Sequence, residues 1–414
     1  TWSTRRGDLE VDNGQHVFMR CCTAYRGFLA RLGVERLVTL QPRLAVPVAA
    51  PGRPTAWIRR APLPSPAHLA PSLLRFHHIP LAERVRAART ARRIAGLSLD
   101  DPTLDRVRFG DWLRAAGESE ASIDRFWDLL IRPTLNLPAR DASLALAAKV
   151  MQTGFLERSD AADVGWALAP LRVVHADPAE RALRAAGARL LLRAPVDAIE
   201  TGPDGRPRVV VRGARIDADA VVLAVPHEEA ADLLPAGARV DRAALRGLGR
   251  APILNLHVVF DRRVLREPLL AAIDSPLQWI FDRTASSGLA RGQYLAVSLS
   301  AADAYLGLPQ AALRARFLPA FEALLPAARG ARVERFFVTA ERVATFRQAP
   351  GTRAARPGPD VGLPRVFVAG AWTDTGWPAT MEGAVRSGHA AARAALARLG
   401  LAPPERVPLP AAAA

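Results

Sequence analysis

Between Val366 and Gly388 the chain reads VFVAGAWTDTGWPATMEGAVRSG. Val366-Phe367-Val368 forms a short apolar strand, a turn rich in Gly, Thr and Pro follows, and Met381-Glu382-Gly383-Ala384 opens a helix. A helix N-terminus carries unpaired N–H groups and a partial positive charge, so an anion can sit there. Small residues on the first turns allow a flat ring to approach closely. The bland reading is a tight helix–sheet contact with no ligand.

The 414 residues suffice for two or three domains. No uncharged apolar run reaches the length of about 18 residues that a membrane-spanning helix requires. The formal net charge is +16, and Lys149 is the only lysine, so nearly all the cationic charge is arginine. Compositional drift accounts for that surplus; the functional reading is peripheral attraction to anionic lipid headgroups. Nucleic-acid binding is the weaker use of that charge and is not expected: the arginines are scattered, aromatic content is 6%, and no binding motif accompanies them. The two cysteines are adjacent, Cys21-Cys22, which excludes a zinc site or a disulfide framework and fits a reducing cytoplasm. They read as small core residues on a helix. His68 and His77-His78 lack ligand spacing to any Cys or acid and read as solvated or capping, so no metal is expected.

Along the chain, residues 9–18 read as a strand followed by a tight turn at Asn13-Gly14, with positive φ. Residues 67–98 are helical, broken at Pro80, and 109–156 are mostly helical with a bend at Pro133. Then come a helix over 177–186, strands at 189–192 and 196–199, a turn at Asp204-Gly205, and strands at 209–211 and 219–226. Residues 252–300 alternate as antiparallel strands, 309–325 form a helix, and 333–348 a strand and turn.

Gly370 to Gly388 resembles the C-terminal flavin signature of the amine oxidase and phytoene desaturase superfamily. The version AWTDTGWPATMEGAVRSG is most similar to the squalene-associated FAD-dependent desaturases, the hydroxysqualene dehydroxylases. Further matches follow in order: Val11–Phe18, Phe109–Leu113, Phe126-Trp127, Pro133–Asn136 and Ala142-Ser143. There are two departures. The family's opening strand, Gly-rich turn and helix are absent, and Gly247-Leu248-Gly249 is followed by Pro252, so roughly 35 to 45 N-terminal residues are expected to be missing. Ala371 stands where many relatives carry Asp.

The resemblance implies an α/β fold, α+β in the second domain. In it an FAD-binding Rossmann-like domain, lacking its first strand and Gly-rich turn, interleaves with a mixed sheet-plus-helices substrate domain. The first takes 1–40, 177–230 and 350–400, the second 41–176 and 240–349, and 401–414 is a disordered tail. FAD is the implied cofactor. Gly14 and Gln15 would lend backbone beside the flavin, Val196 would lie against adenine, and Ala224 would approach the dinucleotide. Gly370, Met381 and Gly383 would cradle the ring, with Glu382 either bonding cofactor hydroxyls or acting as a first-turn helix acid.

The implied reaction removes the hydroxyl of hydroxysqualene to give squalene in hopanoid or triterpene synthesis. It needs a dry tunnel for a hydrophobic isoprenoid, a positioned flavin and a proton source. Asp374 and His16 are the two candidate acids, Asp374 equally plausible as a cap and His16 chosen for its titration near neutrality. Two alternatives stand beside this: a carotenoid or phytoene desaturase, and a non-catalytic lipid-binding scaffold. The expected location is the cytoplasm, with peripheral contact at the inner face of the membrane. Nothing in the sequence fixes the oligomeric state.

Overall fold

The computed structural model describes residues 2–402. Its backbone is organised by alternation. In the strand Ala251–Phe260, Leu254, Leu256, Val258 and Phe260 fall on one face, because successive strand side chains point to opposite sides. They pack with Phe317 and Phe321 of the helix Gln310–Leu324. This strand lies in a seven-stranded sheet, ordered Val333–Thr345, Ala251–Phe260, Gln293–Ser300, Trp279–Asp282, Leu269–Ala272, Ala45–Ala49, Ala56–Arg59. All neighbours are antiparallel except Leu269–Ala272 with Ala45–Ala49. One face is therefore sealed by a helix, and part of the other is left for a ligand.

A helical layer closes over that open face. In Leu81–Ala95 the buried residues Ala87, Thr90 and Ile94 share one stripe, spaced three and four apart. Leu144–Met151 is enclosed along its whole length except at Lys149. Pro133 lies in the last turn of Asp128–Leu135, after a wider π-helical turn at Ile123–Trp127. The helix stops at Asn136 (φ 49°), whose Nδ2 donates to the Ala251 carbonyl at 2.9 Å. One side chain thus ends the helix and ties the helical layer to the sheet.

The third part holds the parallel pair Val221–Leu223 and Val366–Val368 and the antiparallel sheet Val196–Thr201, Pro207–Val211, Ala214–Asp217. Its core gathers Ile199, Leu223, Leu245, Val366, Val368 and Trp372. Gly205 takes φ +76° in the turn expected at Asp204-Gly205.

Several expectations are corrected. Residues 189–192 are not a strand: no described strand pairs with them, and Leu191 and Leu192 are 56% and 78% exposed. Neither Asn13 nor Gly14 has positive φ. The hairpin comes earlier, Ser3–Arg6 against Leu9–Asp12 around Gly7 (φ +63°), and Val17–Met19 instead pairs with Val164–Ala167. His68 and His78 are buried rather than solvated. The tail assigned to 401–414 lies, from residue 403 on, outside the described residues. No helix among the described residues is long and apolar enough to cross a membrane.

Candidate active site

The strand Val366–Val368 runs into a turn whose shape is set by one glycine. Gly370 sits at φ +149°, and a Cβ there would fall 2.4 Å from Trp372 Nε1. Only glycine fits that conformation and that contact. The Gly370 N–H donates to Ser387 Oγ at 2.8 Å, which draws the turn onto the helix Met381–Arg398. The Trp372 indole donates to the Val225 carbonyl at 2.8 Å. Beneath the turn lies Arg356, buried, its guanidinium donating to the carbonyls of Trp372 (3.2 Å), Thr373 (2.6 Å) and Trp377 (2.8 Å). Burial lowers its pKa.

At the start of Met381–Arg398, Thr380 caps by accepting from the Gly383 N–H at 3.2 Å, and Ala384 N donates to the Thr380 carbonyl. Among the described residues the N–H groups of Met381 and Glu382 have no hydrogen-bond acceptor. Both residues line the adjoining cavity. The Glu382 carboxylate does something else. It accepts from the backbone N–H groups of Ala24 (3.1 Å) and Tyr25 (2.7 Å) and from Arg386 Nε (2.7 Å). Those N–H groups open the helix Thr23–Arg31, whose N-cap residue, Cys22, supplies no side-chain hydrogen bond. Glu382 is therefore the cap of a distant helix, and both its oxygens are occupied.

The cavity has a volume of about 670 Å³. Residues 13–19, Cys21, Cys22 and Tyr25 form one wall, and Ala224, Val225, Pro226 and His227 form another beside the turn at 370–372. Ile253, Trp279, Phe281 and Ser298 supply the floor from the large sheet. Leu129, Leu130, Pro133, Lys149, Val150 and Phe155 supply the roof from the helical layer. His227 is 2% exposed, and its Nε2 has no hydrogen-bond partner.

Gly14, Gln15, His16, Ala224, Gly370, Met381 and Glu382 are thus brought together at one cavity. Val196 lies outside it, at the exposed start of its strand. Gly383 does not line it: the missing side chain admits the Pro378 carbonyl, which a Cβ would meet at 2.6 Å. Asp374 is exposed, and its Oδ1 accepts from the Gly376 N–H at 3.1 Å, so it shapes the turn and faces away from the cavity. His16 lines the cavity, but burial pushes its imidazole down to about 3, which removes the near-neutral titration it was chosen for. Cys21 and Cys22 are half-buried and line the cavity, and Cys22 also packs against the Phe18, Tyr25 and Leu29 core cluster. Arg356 and Lys149 had no motif to flag them; the uniqueness of Lys149 was the one available signal.

The pattern of the family described as flavin containing amine oxidoreductase matches residues 1–396. Hydroxysqualene dehydroxylase of Sinorhizobium fredii is 32% identical over 289 residues, covering 64% of this chain and 62% of that protein. Zeta-carotene desaturase of Synechocystis sp. is 25% identical over 327 residues, covering 71% of this chain and 66% of that protein. Each match spans about two thirds or less of the relative's own length. The solved structure of cyclohexylamine oxidase from Brevibacterium oxydans superimposes with a TM-score of 0.69 at 19% identity, over 97% of this chain and 91% of that one. This last likeness concerns the fold alone.

Proposed function

The chain belongs to the flavin containing amine oxidoreductase family, and from that premise we propose that it is an FAD-dependent oxidoreductase that converts hydroxysqualene to squalene in hopanoid or triterpene synthesis. The observation carrying this reading is the cavity itself, which runs from the 370–384 turn and helix start to aliphatic walls at Leu129, Leu130, Val150 and Phe155. A long hydrocarbon can be buried there with a flat ring at one end. The dehydroxylase named among the relatives supports the substrate class.

The residues present fit a flavin. Two unpaired N–H groups, at Met381 and Glu382, open an 18-residue helix beside the cavity, where an anionic ring edge is stabilised. Gly370 keeps the turn free of a side chain, and the unpartnered His227 Nε2 is a further donor or acceptor. FAD, when bound there and reduced, would supply a hydride. The chain's own work is to hold the cofactor at the 370–384 segment, exclude water with Trp372, Trp377 and Phe281, and align the hydrocarbon along the sheet.

The test is incubation of FAD-loaded, dithionite-reduced protein with hydroxysqualene. Squalene must form. A second reading, a polyene desaturase, is favoured by the likeness to zeta-carotene desaturase; oxidised protein that introduces conjugated double bonds into a polyene and leaves hydroxysqualene untouched would establish it instead. Protein that never takes up flavin sinks both.

The hydrophobic substrate is proposed to be drawn from an anionic membrane surface. Exposed Leu74, Leu81 and Val85 stand beside exposed Arg75, Arg89 and Arg92. The helix Ala70–Arg75, which carries Leu74 and Arg75 and packs on Leu81–Ala95, lies against the strand Ala56–Arg59, whose Ile58 lines the cavity, and Ser72 Oγ donates to the Trp57 carbonyl to hold helix and strand together. Co-flotation with anionic liposomes is the expected outcome, and flotation equal to that with neutral liposomes would refute the contact.

A further inference from the structure

We infer that Lys149 is the group that binds the hydroxyl of an oxygenated isoprenoid and protonates it as it leaves; this rests on the dehydroxylation reading. It is the only lysine in the chain, where every other one of the 56 lysine and arginine side chains is arginine. It lies on Leu144–Met151, whose other residues are all buried and apolar, and it lines the cavity. Among the described residues its ammonium has no carboxylate within ion-pair distance and no hydrogen-bond acceptor. Its one described polar contact is the Trp377 ring, whose centre is 5.4 Å from Nζ. That ring already carries the Arg386 guanidinium at 4.8 Å.

Lys149 is half-buried and borders a largely apolar cavity, so the shared aromatic face fills only part of the hydrogen-bonding capacity of its ammonium. A pure polyene has no atom that could complete its solvation. A hydroxyl oxygen accepts a charge-assisted hydrogen bond and does. The choice of lysine follows the same logic: guanidinium never gives up its proton in a protein, whereas an ammonium can. Three other groups at or near the cavity are unsuited. Glu382 is fully occupied, Asp374 is outside, and Tyr25 has its hydroxyl on His175 with its pKa raised by burial.

In the step, the allylic carbon–oxygen bond breaks with its electron pair on oxygen. Nζ gives that oxygen a proton, and water leaves. The carbon would take a hydride from the reduced cofactor when that is bound, and Nζ regains its proton from solvent. An external two-electron reductant, dithionite in the assay, restores the cofactor.

The single lysine makes the test direct. Reductive methylation with ¹³C-formaldehyde gives one lysine methyl resonance, distinct from that of the α-amine. That resonance is expected to shift when hydroxysqualene is added to oxidised, FAD-loaded protein and to stay put with squalene; equal response to both, or to neither, overturns the contact. In the companion variants, Lys149→Met should lose a preference of about ten-fold or more for the alcohol over the hydrocarbon. Lys149→Arg should keep that preference while turnover falls by about a hundred-fold or more, because charge remains and the transferable proton does not. Full turnover in Lys149→Arg would overturn the proton transfer. If the resonance responds to the alcohol but wild-type protein forms no squalene, the dehydroxylation reading fails and the hydroxyl contact stands.

Discussion

Glu382 holds three donors at once, and two of them belong to a helix more than 350 residues earlier in the chain. Buried carboxylates are stable only when their acceptor sites are filled, and here the filling groups are the first N–H groups of Thr23–Arg31. That helix and its N-cap residue place Tyr25 and Cys22 on the cavity wall, so the contact reaches the site through the position of an element. Glu382→Ala should lower the unfolding free energy by about 2–3 kcal/mol, because it leaves buried donors unpaired. Urea denaturation of the flavin-free protein measures it; a change under about 0.5 kcal/mol, ordinary for a surface site, would refute the capping role. Gly370→Ala belongs to the same scale. Its Cβ would strike the Trp372 indole, and its φ is one that L side chains rarely adopt, so the substitution should abolish flavin retention on gel filtration while far-UV circular dichroism stays native.

The 370–380 turn is an element with no regular secondary structure, held in shape by side chains. Arg356 fixes three of its carbonyls, and Gln348 Oε1 accepts from the Ala379 N–H at 2.9 Å while its Nε2 donates to the Leu135 carbonyl at 2.7 Å. Gln348 therefore links the turn to the end of Asp128–Leu135, and the helical roof and the cofactor turn share one buried amide. Arg356→Met keeps much of the volume over Phe346, which the guanidinium faces at 5.1 Å, but releases the three carbonyls. FAD binding should weaken by about ten-fold to a hundred-fold, or about 1.4–2.7 kcal/mol, in a fluorescence titration. An unchanged Kd would mean that the turn is shaped by its own sequence and that the arginine is incidental.

Across the whole molecule, what could be read in the sequence was what repeats. The alternation of Ala251–Phe260 and the turn at Asp204-Gly205 are local patterns, and they form as expected. The strand-turn-helix at 366–398 was legible because sheet, turn and helix follow one another without a gap. The backbone partners of Glu382 on Thr23–Arg31 and the partners of Arg356 and Lys149 were not legible, since each is set by segments that meet only in the folded chain. The same holds for Leu190–Leu192, whose apolar run suggested a strand that needs a neighbour to form. Histidine burial also depends on packing, and it gives the molecule a global property. His257 is fully buried, with Nδ1 on the Tyr294 hydroxyl (2.7 Å), Nε2 on Thr339 Oγ1 (2.9 Å) and its ring stacked on Phe337. Burial pushes it down to about 3, and burial likewise takes His175 to about 4. The unfolded chain binds a proton on each near pH 6.5, while the folded chain does not. Stability is therefore full above that value and falls as the pH drops from about 6.5 toward the folded values. His257 alone should remove about 2 kcal/mol between pH 7 and pH 5, readable as a falling urea midpoint. His257→Gln, which keeps a donor and an acceptor but cannot titrate, should flatten that fall by most of this amount. A midpoint that stays level from pH 7 to pH 5 in the wild-type protein would mean that these imidazoles take up protons in the folded state, against the dry surroundings found for His257.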